Sequence, residues 1–180
     1  LDAWGWRIPF AIGALAAVTA LYLRRSMAET EAFERASARR ARAGSLRTLL
    51  VAHPRAVATV VGLTMGGTLA FYTYTTYMQK FLVVSVGMAR EPATLVSAAS
   101  LFLYMLLQPL VGALSDRVGR RPLLIAFGVL GVLFTVPILS RIGATGSPLE
   151  AFLLIMAALV IVSFYTAINA VVKAELFPVE

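Results

Sequence analysis

Five long apolar stretches divide the chain, and polar segments of unequal length separate them. The stretches cover residues 8–23, 57–78, 94–114, 123–139 and 151–172, which we number spans one to five. None of them contains Asp, Glu, Lys or Arg. A helix needs about 20 mostly apolar residues to cross the hydrocarbon core of a bilayer. The pattern therefore predicts an all-α membrane protein with five transmembrane helices.

The polar segments between the spans alternate in charge. Residues 24–55 contain eight arginines and three glutamates, and residues 115–122 contain three arginines. Residues 84–92 and 140–150 each contain one arginine and one glutamate. Arginine-rich loops stay on the cytoplasmic side of a membrane. This alternation orients the chain with its amino terminus outside and its carboxyl terminus inside.

The composition excludes several classes of protein. Hydrophobic residues make up 59% of the chain, charged residues 14%, and the mean hydropathy is +0.83, whereas soluble domains carry roughly 25% charged residues. The excess of 16 basic over 9 acidic residues favours lipid headgroups rather than nucleic acid as the anionic partner. The chain has no cysteine, and its one histidine lies outside the spans. We therefore predict that it is not an enzyme and has no catalytic site, metal site or cofactor.

Residues 24–55 have the features of a helix in a connecting loop. A capping box at Ser26 and Glu29 begins it, arginines fill its later turns, and Gly44 follows them. One interpretation is a helix that lies on the membrane surface, where its arginines are attracted to anionic lipid. The other is a solvated linker helix, and the sequence leaves both open.

The segment "GALSDRVGRRP", residues 112–122, concentrates charge between spans three and four. Gly112 would let two helices approach closely, and Gly119 would form a tight turn. Asp116 would either cap a neighbouring helix or pair with an arginine, and such a bond, made in only one packing of the helices, would act as a conformational latch. The alternative is an ordinary short loop whose arginines only follow the positive-inside pattern.

These loop residues resemble the cytoplasmic loop motif of the major facilitator superfamily; they are Gly112, Asp116, Arg117, Gly119, Arg120 and Arg121. Four segments are similar to the metabolite:proton symporter branch of that superfamily, and most closely to its α-ketoglutarate permeases: "WGWRIPF", "FYTYTTYMQKFLV", "QPLVGALSDRVGRRP" and "SFYTAINAVVKAELFP". The resemblance runs along essentially all 180 residues and implies helices six to ten of a twelve-helix fold. An odd number of spans and the lack of an initiating Met likewise suggest a piece of a longer protein.

The resemblance also implies a division of the chain. Residues 1–23 would be the last helix of the amino-terminal half, and residues 24–55 the cytoplasmic loop between the halves. Residues 56–180 would be the first four helices of the carboxyl-terminal half.

The resemblance implies that spans two and five line a substrate cavity, because facilitator folds bind substrate near the membrane midplane between their two halves. On span two, helical spacing puts Thr73, Tyr77 and Lys80 on one face with Tyr74 beside them, and on span five it aligns Tyr165 with Asn169. Hydroxyl, amide and ammonium groups suit a carboxylate substrate. The predicted orientation puts the first group in the outer half of the membrane and the second in the inner half, at opposite gates. Alternatively, the tyrosines are interfacial belt residues and Lys80 snorkels to the membrane surface.

The function implied by the resemblance is secondary active transport, with proton-coupled uptake of a dicarboxylate such as α-ketoglutarate by alternating access. Related symporters for proline or betaine, citrate or shikimate are alternatives, and a non-transporting membrane sensor is another. The expected partners are an anionic small molecule, protons and the lipid bilayer, with no nucleic acid. We expect a monomer in the bacterial cytoplasmic (inner) membrane. Because the spans hold no carboxylate or histidine, the proton site is expected in helices outside this chain.

Overall fold

The computed structural model describes residues 4–26, 50–51 and 53–176, and within these ranges all regular structure is helical. Span one is a 3₁₀ turn, Gly5–Arg7, followed by α1, Ile8–Ser26. Span two consists of α2, Pro54–Tyr72, a π-helical segment, Thr73–Tyr77, and α3, Met78–Val84. Spans three, four and five consist of α4, Arg90–Val118, α5, Arg120–Ala144, α6, Pro148–Thr166, and α7, Asn169–Glu175.

The predicted spans are confirmed, since five helical stretches in the described ranges are long and apolar enough to cross a membrane. The helices run further than the apolar stretches, as α4 does at both of its ends. A membrane helix continues past the hydrocarbon into the headgroup region, so polar residues join its end turns. The helix predicted between the cap at Ser26 and the following Gly44 falls on residues 27–43, which lie outside the described residues.

The chain divides into two compact units, residues 1–49 with 179–180 and residues 50–178. In the first unit, α1 exposes large apolar side chains along its length, among them Phe10, Leu15 and Tyr22. The Thr19 hydroxyl donates to the Leu15 carbonyl at 2.9 Å. This hydroxyl is the one polar side-chain group in the middle of α1. Its hydrogen bond within the helix suits an apolar environment.

In the second unit, α6 is the central helix, and it packs against α4, α5 and α2. Small residues on α6, including Ala151, Ala158 and Ser163, are almost fully buried. Helices in lipid associate through close van der Waals packing, and small side chains permit the close approach. Larger side chains complete this core, namely Met78, Leu82, Ile142, Ile155 and Leu159.

We call the end of this unit that holds Gly119 its inner end and the end that holds Thr145 its outer end, following the predicted orientation. A second, smaller apolar cluster lies at the inner end and consists of Val111, Leu123, Ile168 and Val172. It joins span five to the connection between spans three and four. The site residues of spans two and five therefore lie on helices whose neighbours hold them in place.

Candidate functional site

The polar segment of span two is not a regular α-helix. Residues Thr73–Tyr77 form a π-helical turn, in which one extra residue is accommodated per turn. The hydroxyls of Thr73 and Thr75 donate to the carbonyls of Leu69 and Phe71, at 2.8 and 2.6 Å. These bonds satisfy the hydroxyls within the helix itself. The wider turn changes which side chains share a face.

The structure separates Tyr74 from the other three candidates of span two. Tyr77 and Lys80 are exposed and Thr73 is half-buried, whereas Tyr74 is buried in the core of the bundle. Among the described residues, no ion pair or hydrogen bond engages the Lys80 ammonium group, and the ring of Tyr77 lies 6.2 Å from that of Phe81. The outer group is thus reduced to three side chains that a ligand can reach.

Tyr74 points into a small cavity between spans two, four and five. Its side chain faces that of Thr135 on α5, and Gly131 and Ala158 also line the space. The cavity measures about 20 Å³, which is room for roughly one water molecule. This space is too small for a dicarboxylate, and the place of Tyr74 on a substrate path stays a prediction.

Tyr165 is buried where spans two, four and five meet. Its ring lies directly on Gly67, and a Cβ at position 67 would overlap three of the ring carbons. The ring also stacks on Phe127 at a centroid distance of 5.3 Å, and the Lys173 ammonium lies 6.0 Å from its centroid. Tyr165 therefore acts as a packing residue between three helices in this structure.

Span five is interrupted directly after Thr166. The helix α6 ends at Thr166, Ala167 and Ile168 form a turn, and α7 begins at Asn169. Asn169 is half-buried, and no hydrogen bond of its side-chain amide is described. The structure thus places Asn169 at a break in a membrane helix, where polar groups gather around freed backbone.

A hydrogen-bonded cluster that sequence reasoning missed lies beside this break. The Tyr104 hydroxyl is 2.5 Å from the Thr166 hydroxyl, and Thr166 Oγ1 donates to Gln108 Oε1 at 3.0 Å. Gln108 Nε2 in turn lies 3.3 Å from the Tyr104 carbonyl. One signal was present, because Tyr104 and Gln108 are four residues apart in an otherwise apolar span. Their partner on span five is not visible in the sequence.

The loop motif is organised around Gly119, which alone connects α4 to α5. Its φ of 94° lies in the region that favours glycine, so the predicted tight turn is confirmed. The close helix approach predicted at Gly112 is wrong for the described part of the chain, since a Cβ there would meet nothing within 4 Å.

The charges of the motif make one ion pair among the described residues. Arg120 Nη1 lies 2.7 Å from Glu175 Oε1 at the end of α7. Asp116, Arg117 and Arg121 are exposed, and the structure describes no ion pair for them. The bond predicted for Asp116 stays a prediction, and the observed inner ion pair joins Arg120 to span five.

The outer end carries a matching ion pair between spans four and five. Arg141 Nε donates to Glu150 Oε1 at 2.8 Å, and Thr145 Oγ1 donates to Glu150 Oε2 at 2.6 Å. Both carboxylate oxygens of Glu150 are therefore engaged. No cluster of three or more His, Cys, Asp or Glu residues that could hold a metal lies in the part of the chain that the structure describes.

The sequence of this chain is similar to those of several known proteins. Residues 1–178 match the family described as Major Facilitator Superfamily. The chain is 52% identical to the α-ketoglutarate permease of Escherichia coli over 180 residues, 100% of this chain and 41% of the permease. It is 33% identical to the citrate-proton symporter of Klebsiella pneumoniae, over 98% of this chain and 40% of that protein.

A third relative is the proline/betaine transporter of Salmonella typhimurium, which is 29% identical over 97% of this chain and 37% of its own length. The chain thus spans about two-fifths of the length of the curated relatives it matches. No solved structure matches it.

Proposed function

Because this chain belongs to the major facilitator superfamily, we propose that the whole protein is a proton-coupled transporter that takes up a dicarboxylate such as α-ketoglutarate by alternating access. One observation carries the proposal, namely the 52% identity to the α-ketoglutarate permease along all 180 residues. The relatives are transporters by name, which agrees with the prediction that the chain is not an enzyme. A multi-pass protein of the bacterial inner membrane fits both these relatives and the five helices long enough to span a bilayer.

The described side chains supply part of what a dianion needs. An anion that enters a low-dielectric region must exchange its water for fixed donors and positive charge. Span two offers the Lys80 ammonium and the exposed Tyr77 hydroxyl, and span five offers the Asn169 amide; within the described ranges the ammonium and the amide have no bonded partner. We assign these three to the substrate path, with Thr73 beside them. Tyr74 and Tyr165 support them from behind, since both are buried against neighbouring helices.

The proton site belongs outside this chain in our proposal. A proton-coupled transporter needs a group that exchanges protons along its path, and a carboxylate or histidine inside a membrane helix serves that purpose. Spans one to five contain neither. The rest of a protein as long as the permease would have to provide that group.

Citrate is a second candidate substrate, and the 33% identity to a citrate-proton symporter favours it. Citrate and α-ketoglutarate are both small carboxylates, so the same cation and amide groups would serve either one. Proline and betaine would require further binding groups, because a zwitterion without net charge gains less from Lys80 than a dianion does.

The test is uptake of labelled α-ketoglutarate by the full-length protein in proteoliposomes, with and without an inward proton gradient. Lys80→Ala should lower uptake at low substrate concentration by about tenfold or more, because a charge-assisted bond contributes roughly 1.5–3 kcal/mol. Asn169→Ala should lower it by about three- to tenfold. Lys80→Arg keeps the charge, and Val171→Ala trims an exposed side chain on the same helix as Asn169, so both serve as controls.

Gradient-driven uptake of betaine or proline in place of dicarboxylates would refute the assigned substrate class. Wild-type uptake by both alanine variants would remove Lys80 and Asn169 from the path and leave the transporter assignment standing.

A further inference from the structure

The interruption of span five has no local cause in the sequence. The two residues between α6 and α7 are Ala167 and Ile168, and neither glycine nor proline is near them. Alanine is the strongest helix former, and isoleucine is tolerated well in helices. Yet Ile168 has φ −123° and ψ −6°, outside the helical range, and its N–H reaches back only three residues to the Tyr165 carbonyl. Contacts with other helices must therefore hold the break.

The Tyr104–Thr166–Gln108 cluster supplies such contacts on the side of α6. A threonine hydroxyl has one proton, and Thr166 has Gln108 Oε1 at 3.0 Å and the carbonyl of Val162 at 3.3 Å as acceptors. When the proton goes to Gln108, the Thr166 oxygen is left to accept the Tyr104 O–H at 2.5 Å. The last residue of α6 is then bonded twice to span three.

The other side of the break is fixed by apolar packing. Ile168 is buried in the inner cluster with Val111 and Leu123, which belong to α4 and α5. Span three thus holds the residue immediately before the break through hydrogen bonds, and spans three and four hold the second residue of the break, Ile168, through apolar packing. The side chain of Asn169, the next residue, has no hydrogen bond in the described part of the chain, so its direction follows from these anchors.

We propose that Tyr104, Thr166 and Gln108 form a positioning cluster that holds the break at Ala167 and Ile168 and so sets the direction of the Asn169 amide. Thr166 holds the break through its hydroxyl, and Tyr104 and Gln108 of span three act by hydrogen-bonding that hydroxyl. The cluster makes span three a determinant of where a polar group of span five points. The part of this proposal that concerns affinity rests on the proposed transport of a carboxylate.

The first measurement does not depend on any substrate. Spin labels on cysteines that replace Leu153 and Val171, both exposed and on opposite sides of the break, report the distance across it. The labels are placed in the full-length protein, with any other cysteines removed. Thr166→Val keeps the shape of the side chain and removes its hydroxyl, so we expect the distance distribution to shift or to broaden. Thr166→Ser keeps the hydroxyl and should restore the wild-type distribution.

Thr64→Val is the matched control. The Thr64 hydroxyl donates at 2.6 Å to the Val60 carbonyl of its own helix, and no bond to another helix is described for it. Its loss should leave the distance across the break unchanged. An unchanged distance in Thr166→Val, with the protein folded and inserted, would overturn the proposal.

The second measurement is the apparent KM for α-ketoglutarate uptake. Thr166→Val and Tyr104→Phe should each raise KM about three- to tenfold, as expected for loss of a buried hydrogen bond that orients a ligand group. The maximal rate should change less. The double variant should be no worse than the poorer single variant, because both remove the same cluster. Fully additive effects on KM would contradict a shared cluster. If the wild-type protein takes up no carboxylate, the proposed function fails, and the label distance alone still decides on the positioning cluster.

Discussion

The polar groups of spans two and five differ in what holds them. In span two, the π-helical segment Thr73–Tyr77 bonds its threonine hydroxyls to its own backbone, and Tyr77 and Lys80 remain exposed. In span five, the break after Thr166 is bonded to a neighbouring helix, and Tyr165 is buried. The threonine bonds at the irregularity of span two therefore stay within their own helix, whereas those at the break of span five reach a neighbouring helix. Loss of the Tyr104 hydroxyl or the Gln108 amide on span three should therefore affect the break in span five more than the threonine bonds of span two.

The largest expected effect concerns the assignment of the two groups to opposite sides of the membrane. Single cysteines at Ser85 or Ser147, both exposed near the outer end, should react with an impermeant thiol reagent added to intact cells. A cysteine at Ala174, exposed near the inner end, should react only after the cells are opened. The background is the full-length protein without other accessible cysteines. Labelling of the Ala174 position alone in intact cells would reverse the orientation and exchange the outer and inner groups.

The next effect tests how tightly span five is packed against span two. Gly67→Ala would force its new methyl group into the Tyr165 ring, and overpacking of this kind costs roughly 1–3 kcal/mol. We expect a lower unfolding temperature of the full-length protein in detergent. Gly66→Ala is a matched control, since a Cβ there meets nothing within 4 Å. Equal stability of the two variants would show that Tyr165 moves aside freely, and span five would then be held less firmly against span two than the structure indicates.

The smallest effect on stability is expected at the ion pairs of the two ends. The side chains of Arg120 and Glu175 are 37% and 52% exposed, and exposed pairs contribute about 0–1 kcal/mol. Arg120→Glu should therefore leave the unfolding temperature nearly unchanged while it alters the transport rate, if the pair forms in only one state of the cycle. Exchange of both charges, Arg120→Glu with Glu175→Arg, should recover part of the rate. Arg141→Glu provides the corresponding change at the outer end, and identical rate losses from both reversals would argue against a specific role of the inner pair.

The spans and the Gly119 turn were predictable because their causes are local. A bilayer demands about 20 apolar residues in a row, and an uncharged run of that length can be read directly from a sequence. Likewise, a single residue between two helices needs a conformation that glycine adopts most easily. Both predictions depend only on neighbouring residues.

The irregularities of spans two and five could not be predicted in the same way. The segments "TYTTY" and "TAIN" contain neither glycine nor proline, so nothing in them signals a π-helical turn or a break. The regular spacing that grouped Tyr74 with Thr73, Tyr77 and Lys80 assumed a continuous α-helix. The inner ion pair joins residues 55 positions apart, Arg120 and Glu175, and such a contact depends on how three helices cross. Gly112 was misread for the same reason, because only the packing decides whether a small residue faces another helix.

Gly119 is the single residue that connects α4 to α5, so a change in the angle between the two helices pivots at this residue. The helix α4 is 29 residues long, which at about 1.5 Å per residue gives an arm of about 43 Å. A tilt of α4 by about 5° around Gly119 moves the far end of the helix by about 4 Å. The Arg120–Glu175 pair lies next to this pivot, where the displacements caused by a tilt are smallest. A sub-ångström adjustment at that pair would therefore accompany a shift of several ångströms at the opposite surface of the membrane.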